Sequence, residues 1–194
     1  MSATDSLAMV ADRVVACTAC PLAETRTQAV PGSGPAEARL VLVGEAPGAA
    51  EDQGGQPFVG RSGSLLLELL GREVGLDRSE VFITNTVKCR PPGNRDPRAG
   101  EIAACRGHLV DQLAALAPTC ALVVTVGNVA TRAVLGTTEG IMALRGVPRR
   151  VEGWPMPVLA TIHPAAALRG GSAARALLAE DLATAGRLLG GHAA

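Results

Sequence analysis

Four of the five cysteines are spaced so that they could hold one metal centre. Cys17 and Cys20 form a CxxC pair, and Cys89 and Cys105 lie 16 positions apart farther along the chain. A CxxC turn directs two thiolates at one centre, and a second pair completes four ligands. On spacing alone, structural zinc fits at least as well as an iron–sulfur cluster, and four unrelated buried thiols are the alternative without metal. Cys120 precedes an apolar run and is predicted to be a core residue.

A second group of chemically capable residues follows the apolar runs of the chain. Glu45, Asn85, Asn128 and His163 each lie at or just beyond the end of such a run. Ligand sites of open α/β sheets lie beyond the carboxyl ends of the strands, so we expect these side chains to meet at one edge. Each residue alone would be an ordinary cap, turn or surface residue, and the convergence is what predicts a site.

The elements that must position these residues alternate between strands and helices. Continuous β-branched apolar runs are typical of strands buried on both faces. The four predicted strands are 40–46, 81–87, 121–127 and 157–163. Three of the four predicted helices are 62–74, 128–135 and 173–189. The fourth has Asp96 as its N-cap and Pro97 as its first residue, and it extends to Leu116. This alternation predicts a three-layer α/β/α sandwich around a four-stranded, mainly parallel sheet.

Length and composition favour one globular domain. The chain has 194 residues, of which 47% are apolar and 19% charged, so we expect a single domain over 1–194 with a short flexible tail from about 190. Its N-terminus carries acidic residues where a signal peptide would be basic, and no apolar stretch is long enough to cross a membrane. We therefore expect a cytoplasmic monomer with no membrane partner and with reduced thiols.

The charge and the aromatic residues restrict the possible ligands. A net charge of zero excludes attraction of nucleic acid to the whole surface, but residues 85–106 and 145–175 carry local net charges of +3 and +4. Phe58, Phe82 and Trp154 are the only aromatic residues, and the chain has no tyrosine. Of these three rings only Phe58 lies in a predicted site loop, so any stacking on a planar ligand falls to it.

Three segments carry a resemblance to a known family. They are GEAPGAAEDQGGQPFVGRSGSLL (44–66), TNTVKCRPPGNRDPRAGEIAAC (84–105) and HPAAALRG (163–170). In this order they resemble the family 4 uracil-DNA glycosylases, bacterial and archaeal enzymes with a four-iron, four-sulfur cluster, and the resemblance extends from Cys17 to about Arg175. It implies the α/β/α fold, a [4Fe-4S] cluster bound by Cys17, Cys20, Cys89 and Cys105, and hydrolysis of uracil from DNA to leave an abasic site.

The resemblance also implies roles for residues of the predicted site. Phe58 matches the aromatic residue that stacks on the flipped uracil, and Asn85 matches the amide that pairs with its edge. His163 matches the histidine that stabilises negative charge growing on uracil O2. Gly44 and Ala46 match the uracil-binding segment around the first motif.

The residue that positions the water is less directly implied. Related family 1 enzymes have an aspartate at the position of Ala46, so that general base is absent here. We expect Glu45 to position water and to offset positive charge on the sugar. For Glu51, two roles stay open: catalysis, including orientation of His163, and anchoring of the loop.

The third motif and the remaining histidines complete the expectations. Leu168 or Arg169 is predicted to enter the DNA stack when uracil leaves, although Leu168 could instead be a core residue. Family 1 enzymes exclude thymine with a tyrosine, and this chain has none. The Phe58 loop is therefore our candidate for the part of the site that excludes the thymine methyl group. His108 is predicted to be a structural or surface residue, and His192 part of the tail.

Two other functions are compatible with parts of the pattern. A relative of the same superfamily could bind or crosslink uracil-containing DNA, single- or double-stranded, without turnover. The relatives that crosslink use a histidine in a basic insertion after the second motif, and CRPPGNRDPRAGEI lacks that insertion. A nucleotide-binding protein is the second alternative, but neither GxGxxG nor a P-loop lysine motif is present.

Overall fold

Five strands form the central sheet of the computed structural model, which describes residues 2–190. The strands are Leu40–Gly44 (β1), Phe82–Asn85 (β2), Leu122–Val126 (β3), Pro148–Arg149 (β4) and Val158–Thr161 (β5). Their order is β2-β1-β3-β5-β4, with β4 antiparallel to β5 and the other neighbours parallel. The four longer strands therefore end at one edge of the sheet.

Helices cover both faces of the sheet within the described residues. They are Ala3–Val15 (α1), Leu22–Thr25 (α2), Ala49–Gly54 (α3), Arg61–Val74 (α4), Ala99–Leu116 (α5), Asn128–Leu135 (α6), Ile141–Leu144 (α7), Pro164–Arg169 (α8) and Gly171–Leu188 (α9), with a 3-10 turn at Pro92–Asn94. Leu40 and Leu42 pack with α4 and α9, whereas Val41 and Val43 pack with α5 and α6. Because successive strand residues point to opposite faces, this alternation buries β1 on both sides.

A third apolar cluster joins the N-terminal segment to the sheet. Val10 and Val14 of α1 and Leu22 of α2 pack against Cys89 and Cys105. Helix α1 also packs on α5. The cysteine pairs from distant parts of the sequence are thereby brought to one place.

The predicted α/β/α class is confirmed, and two details of the expectation are wrong. The sheet has a fifth strand, because the exposed dipeptide Pro148–Arg149 pairs with β5. Such a short, polar edge strand leaves no apolar run in the sequence. Helix α5 begins at Ala99, not after Asp96, because Glu101 Oε2 accepts the backbone N–H of Arg98 at 2.7 Å and completes the first turn there.

Two expectations concern the ends of the chain and membranes. His192 and the rest of the expected tail after Gly190 lie outside the described residues. Within 2–190, no helix is both long and apolar enough to span a bilayer.

Candidate active site and cysteine site

A cavity of about 1050 Å³ opens at the carboxyl ends of the parallel strands. Glu45 follows β1, Asn85 ends β2 and His163 follows β5, and all three line this cavity together with Phe58. Asn128, after β3, also lines it, but its Oδ1 accepts the backbone N–H of Ile141 at 2.8 Å. The sheet topology therefore brings the predicted polar residues together, and Asn128 serves the local fold.

Phe58 is held in an unusual conformation at the side of the cavity. Its φ is 53°, in the left-handed region that a bulky residue rarely adopts, and only 7% of the residue is exposed. A Cβ on Gly44 would lie 2.7 Å from the Phe58 ring, and one on Gly63 would lie 2.1 Å from the Phe58 carbonyl oxygen. Glycine at both positions is required for this ring to occupy its place.

Glu51 fixes the loop that carries Phe58. Its Oε1 accepts the backbone N–H groups of Val59 at 3.1 Å and Gly60 at 3.0 Å, and its Oε2 accepts that of Gly48 at 3.0 Å. From the other side, Arg78 donates to the carbonyl of Pro57 at 2.7 Å. Of the two roles left open for Glu51, these contacts favour anchoring of the loop.

Asn85 lies at the floor of the cavity. The residue is 2% exposed and pairs in register with Gly44 of β1. A Cβ at position 44 would lie 2.3 Å from Asn85 Oδ1, so a side chain there would displace the carboxamide. Ala46 lines the adjacent wall. A carboxamide offers a donor and an acceptor side by side, which is what an imide edge of a base requires.

The hydrogen bonds of His163 assign its tautomer. Nδ1 accepts the backbone N–H of Ala165 at 3.1 Å, where His163 caps the N-terminus of α8. The proton of the neutral ring is therefore on Nε2. Burial, and then the charge of Arg169, lower the pKa of His163, whereas Glu51 opposes that change. The lowered pKa favours the neutral ring, whose centroid lies 6.4 Å from that of Phe58 with 31° between the ring planes.

Glu45 has a carboxyl group whose charge changes near neutral pH. Burial first, and then the neighbouring Asp96 carboxyl, raise the pKa of Glu45 from 4.5 to about 7. Asp96 is exposed and lines the same cavity. The sequence prediction placed Asp96 at a helix N-cap and missed this contact with the site.

Leu168 and Arg169 lie at the end of α8, beside the cavity opening. Leu168 is 40% exposed, which excludes the alternative of a core residue, and Arg169 lines the cavity. Met142 of α7 also lines the cavity and is 64% exposed, although nothing in its sequence context distinguished it from a core methionine. The rim of the cavity thus carries exposed apolar groups beside a cation.

The count of basic residues overestimated the positive charge available to bind phosphates. Lys88 is 1% exposed. Arg95 pairs with Glu101 at 2.6 Å, Arg145 with Asp181 at 2.9 Å and Arg175 with Glu68 at 3.1 Å. Arg61, Arg95 and Arg169 are the arginines that line the cavity. Local net charge in a sequence cannot distinguish such ion-paired or buried cations from free ones.

Four cysteines line a second, smaller cavity between α1, α5 and the chain after β2. They are Cys17, Cys20, Cys89 and Cys105. Arg26 Nη1 donates to Cys89 Sγ at 3.0 Å, and burial raises the pKa of the Cys89 and Cys105 thiols. The half-buried His108 also lines this cavity, whereas Cys120 is buried elsewhere, where its thiol donates to the Leu122 carbonyl.

The four thiols are the donor set that a structural zinc ion or an iron–sulfur cluster takes in proteins. Within residues 2–190, no three His, Cys, Asp or Glu side chains are close enough to bind a single ion. A four-iron cluster binds each thiolate through a different iron, so its ligands stand farther apart than the ligands of one zinc ion. Four thiols around one cavity, with an arginine donating to one sulfur, therefore fit a metal centre bound by thiolates.

Comparison with known proteins identifies the family of this chain. The sequence model of the uracil DNA glycosylase superfamily matches residues 31–183. The type-4 uracil-DNA glycosylase of Thermotoga maritima is 44% identical over 176 residues, covering 90% of each chain, and that of Sulfurisphaera tokodaii is 41% identical over 183 residues, covering 91% of this chain and 82% of the relative. The type-5 uracil-DNA glycosylase of Thermus thermophilus is 34% identical over 119 residues, which are 55% of this chain and 53% of the relative. This chain therefore belongs to the uracil-DNA glycosylase superfamily, and within it to the type-4 family.

Proposed function

We propose that this protein hydrolyses the N-glycosidic bond between uracil and deoxyribose in DNA, leaving an abasic site. The observation that carries the proposal is the convergence of an amide, an aromatic ring, a neutral histidine and a carboxyl group on one cavity: Asn85, Phe58, His163 and Glu45. A base inside a duplex is shielded, so the nucleotide must rotate out of the stack to reach such a cavity.

Asn85 and Phe58 recognise the flipped base. The Asn85 carboxamide donates to one uracil carbonyl and accepts the N3–H, which cytosine lacks. The Phe58 ring stacks on the base plane, and the loop held by Glu51 keeps the ring in place before DNA arrives. Because this loop is fixed, it is also our candidate for the wall that rejects the methyl group of thymine.

His163 stabilises the leaving group. As the glycosidic bond breaks, negative charge develops on uracil O2, and the Nε2–H of a neutral imidazole donates a hydrogen bond to it. Because Nδ1 is occupied by the Ala165 N–H, the ring cannot present its unprotonated nitrogen to the base. A donor fixed before the reaction does not have to reorganise while the bond breaks.

Glu45 acts on the sugar side. Its carboxylate orients the attacking water and offsets the positive charge that develops on deoxyribose. Because the pKa of Glu45 is raised to about 7, the active form accumulates as the pH rises through neutrality. Leu168 fills the space that uracil leaves in the stack, and Arg169 contacts the backbone beside it.

Cys17, Cys20, Cys89 and Cys105 bind a [4Fe-4S] cluster. When bound, the cluster supplies a covalent cross-link between the N-terminal segment and the chain that follows β2. The same chain segment continues to Arg95 and Asp96, which line the active-site cavity. Retention of the cluster therefore stabilises one wall of the active site.

A multiple-turnover assay tests the proposed activity against non-turnover binding. Enzyme is mixed with a large excess of a uracil-containing oligonucleotide, and free uracil is counted per enzyme molecule. The proposal predicts many uracils per enzyme, and a matched thymine oligonucleotide serves as the control. One equivalent or less, with DNA retained on the protein, would instead identify a binding or crosslinking relative.

A further inference from the structure

Lys88 is a fully buried lysine between the cysteine site and the base-recognition residue. Only 1% of the residue is exposed, and Lys88 lines the same cavity as the four cysteines. A lysine that contacts DNA phosphates has to be exposed, so Lys88 has a different role. Its neighbours in space indicate what that role is.

Three neutral oxygen atoms surround the Lys88 amino group. Nζ donates to Thr84 Oγ1 at 2.6 Å, to the backbone oxygen of Asn85 at 2.7 Å and to Gln112 Oε1 at 2.7 Å. Three short contacts of this kind use all three N–H bonds of an ammonium group. One of them ends on the residue proposed to recognise uracil.

No carboxylate balances this charge within the described residues. The six ion pairs formed among residues 2–190 do not include Lys88. Burial alone favours the neutral amine, so a lysine keeps its charge here only beside a negative group. The thiolates of Cys89 and Cys105, once bound to iron, would supply negative charge in the cavity that Lys88 lines.

We propose that Lys88 is the internal counter-ion of the cluster bound by Cys17, Cys20, Cys89 and Cys105, and that it positions Asn85 through the backbone carbonyl of that residue. The inference rests on the cluster assignment of the proposed function. Lys88 would thereby connect the cluster to base recognition, because its amino group contacts the Asn85 backbone and the residue also lines the cysteine site.

Lys88→Met tests both parts, because methionine has a similar volume but neither charge nor donors. Removing the positive charge leaves the anionic cluster uncompensated, so its midpoint potential should become more negative. Iron release to a chelator should be at least about 10-fold faster, as for other groups beside metal ligands. In protein matched for iron content, KM for uracil DNA should rise about 10-fold, because the Asn85 carbonyl has lost its donor.

Arg26→Met is the matched control. Arg26 also donates to the cysteine site, at Cys89 Sγ, but it makes no contact with Asn85. Its replacement should therefore change the potential and the rate of iron release while KM stays near the wild-type value at matched iron content. A rise in KM as large as that of Lys88→Met would contradict the positioning role of Lys88.

Gln112→Glu keeps the test decisive if Lys88→Met does not fold. It places a carboxylate beside Nζ in a side chain of the same size, which pairs with Lys88 without removing it, and it loses the hydrogen bond that Gln112 Nε2 donates to the Pro31 carbonyl. The midpoint potential should again become more negative. If the Lys88→Met and Gln112→Glu proteins keep the wild-type iron content, midpoint potential and rate of iron release, the proposed role of Lys88 is wrong but the cluster assignment stands. Wild-type protein purified without oxygen and lacking iron would overturn the cluster assignment as well.

Discussion

Replacing Glu45 by glutamine is expected to stabilise the fold and to impair excision. The pKa of Glu45 is raised from 4.5 to about 7, first by burial and then by Asp96. The folded protein therefore binds a proton at Glu45 more tightly than the unfolded chain does. Ionising this carboxyl lowers the free energy of unfolding, and glutamine removes that loss because it carries no charge.

The size of the stabilisation follows from the change in pKa. A rise from 4.5 to about 7 corresponds to at most about 3 kcal/mol. Solvent reaches the half-buried carboxyl through the cavity and screens it, so we expect about 1–2 kcal/mol. For a chain of this length that is a rise in Tm of about 2–8 °C.

The stabilisation of the protein by Glu45→Gln should depend on pH. Below about pH 4.5 the carboxyl is protonated in the folded and the unfolded chain alike, so the substitution gains nothing there. The gain grows as the pH rises from 4.5 to 7 and is constant above that range. Thermal unfolding of both proteins at several pH values between 5 and 8 measures it.

The loss of excision is measured on the same preparations. Glutamine cannot carry the negative charge that orients water and offsets charge on the sugar, so single-turnover excision should fall by about 100-fold or more. Cluster absorbance should stay unchanged. Near-normal excision, or a change in Tm that does not depend on pH, would refute this reasoning.

Two other glutamates provide controls for these measurements. Glu51→Gln should destabilise the protein by about 1–3 kcal/mol, because one of the backbone N–H groups that Glu51 accepts would face an amide donor. Glu37 is exposed, so Glu37→Gln should change neither Tm nor excision. The three substitutions make the same chemical change with three different expected outcomes.

Three further substitutions test separate parts of the site. Asp96→Asn removes a negative neighbour of Glu45, so the pH profile of single-turnover excision should shift toward lower pH; an unchanged profile would mean that Asp96 does not influence Glu45 during the reaction. Phe58→Leu removes the stacking surface and should lower excision by about 10- to 100-fold, measured as kcat/KM on single-stranded uracil DNA, whereas an unaffected enzyme would exclude stacking by Phe58. Leu168→Ala should lower kcat/KM on duplex DNA by about 10-fold but leave kcat/KM on single-stranded DNA nearly unchanged, because only a duplex has a base stack to fill. Equal losses on both substrates would contradict the insertion of Leu168 into the stack.

The parts of the structure that the sequence predicted are those with a periodic or topological signal. Strands buried on both faces are mostly apolar, and the polar residues in these strands are threonines and Asn85, so β1, β2, β3 and β5 were recognisable as nearly continuous runs. The rule that parallel strands end at one edge then predicted that Glu45, Asn85 and His163 would converge. None of this required the resemblance to a known family.

The parts that were missed depend on a turn or on burial. Gly93 and Asn94 both have positive φ, and this irregular turn precedes Asp96, which approaches Glu45. A PPGNRDP segment has no periodicity from which such a path could be read. Lys88 was counted as a free cation because local net charge carries no information on burial, although its position between Val87 and Cys89 was a signal.

Release of free base by wild type and Asn85→Ala tests the central claim most directly. Both proteins are given excess duplex with one uracil, or with thymine at the same position, and free base is quantified over time. The account predicts many equivalents of uracil from wild type, no thymine, and a loss of about 100-fold or more in the variant, because the buried edge of the base would lose both hydrogen bonds. Equal uracil release by the two proteins, or no release by wild type, would contradict it.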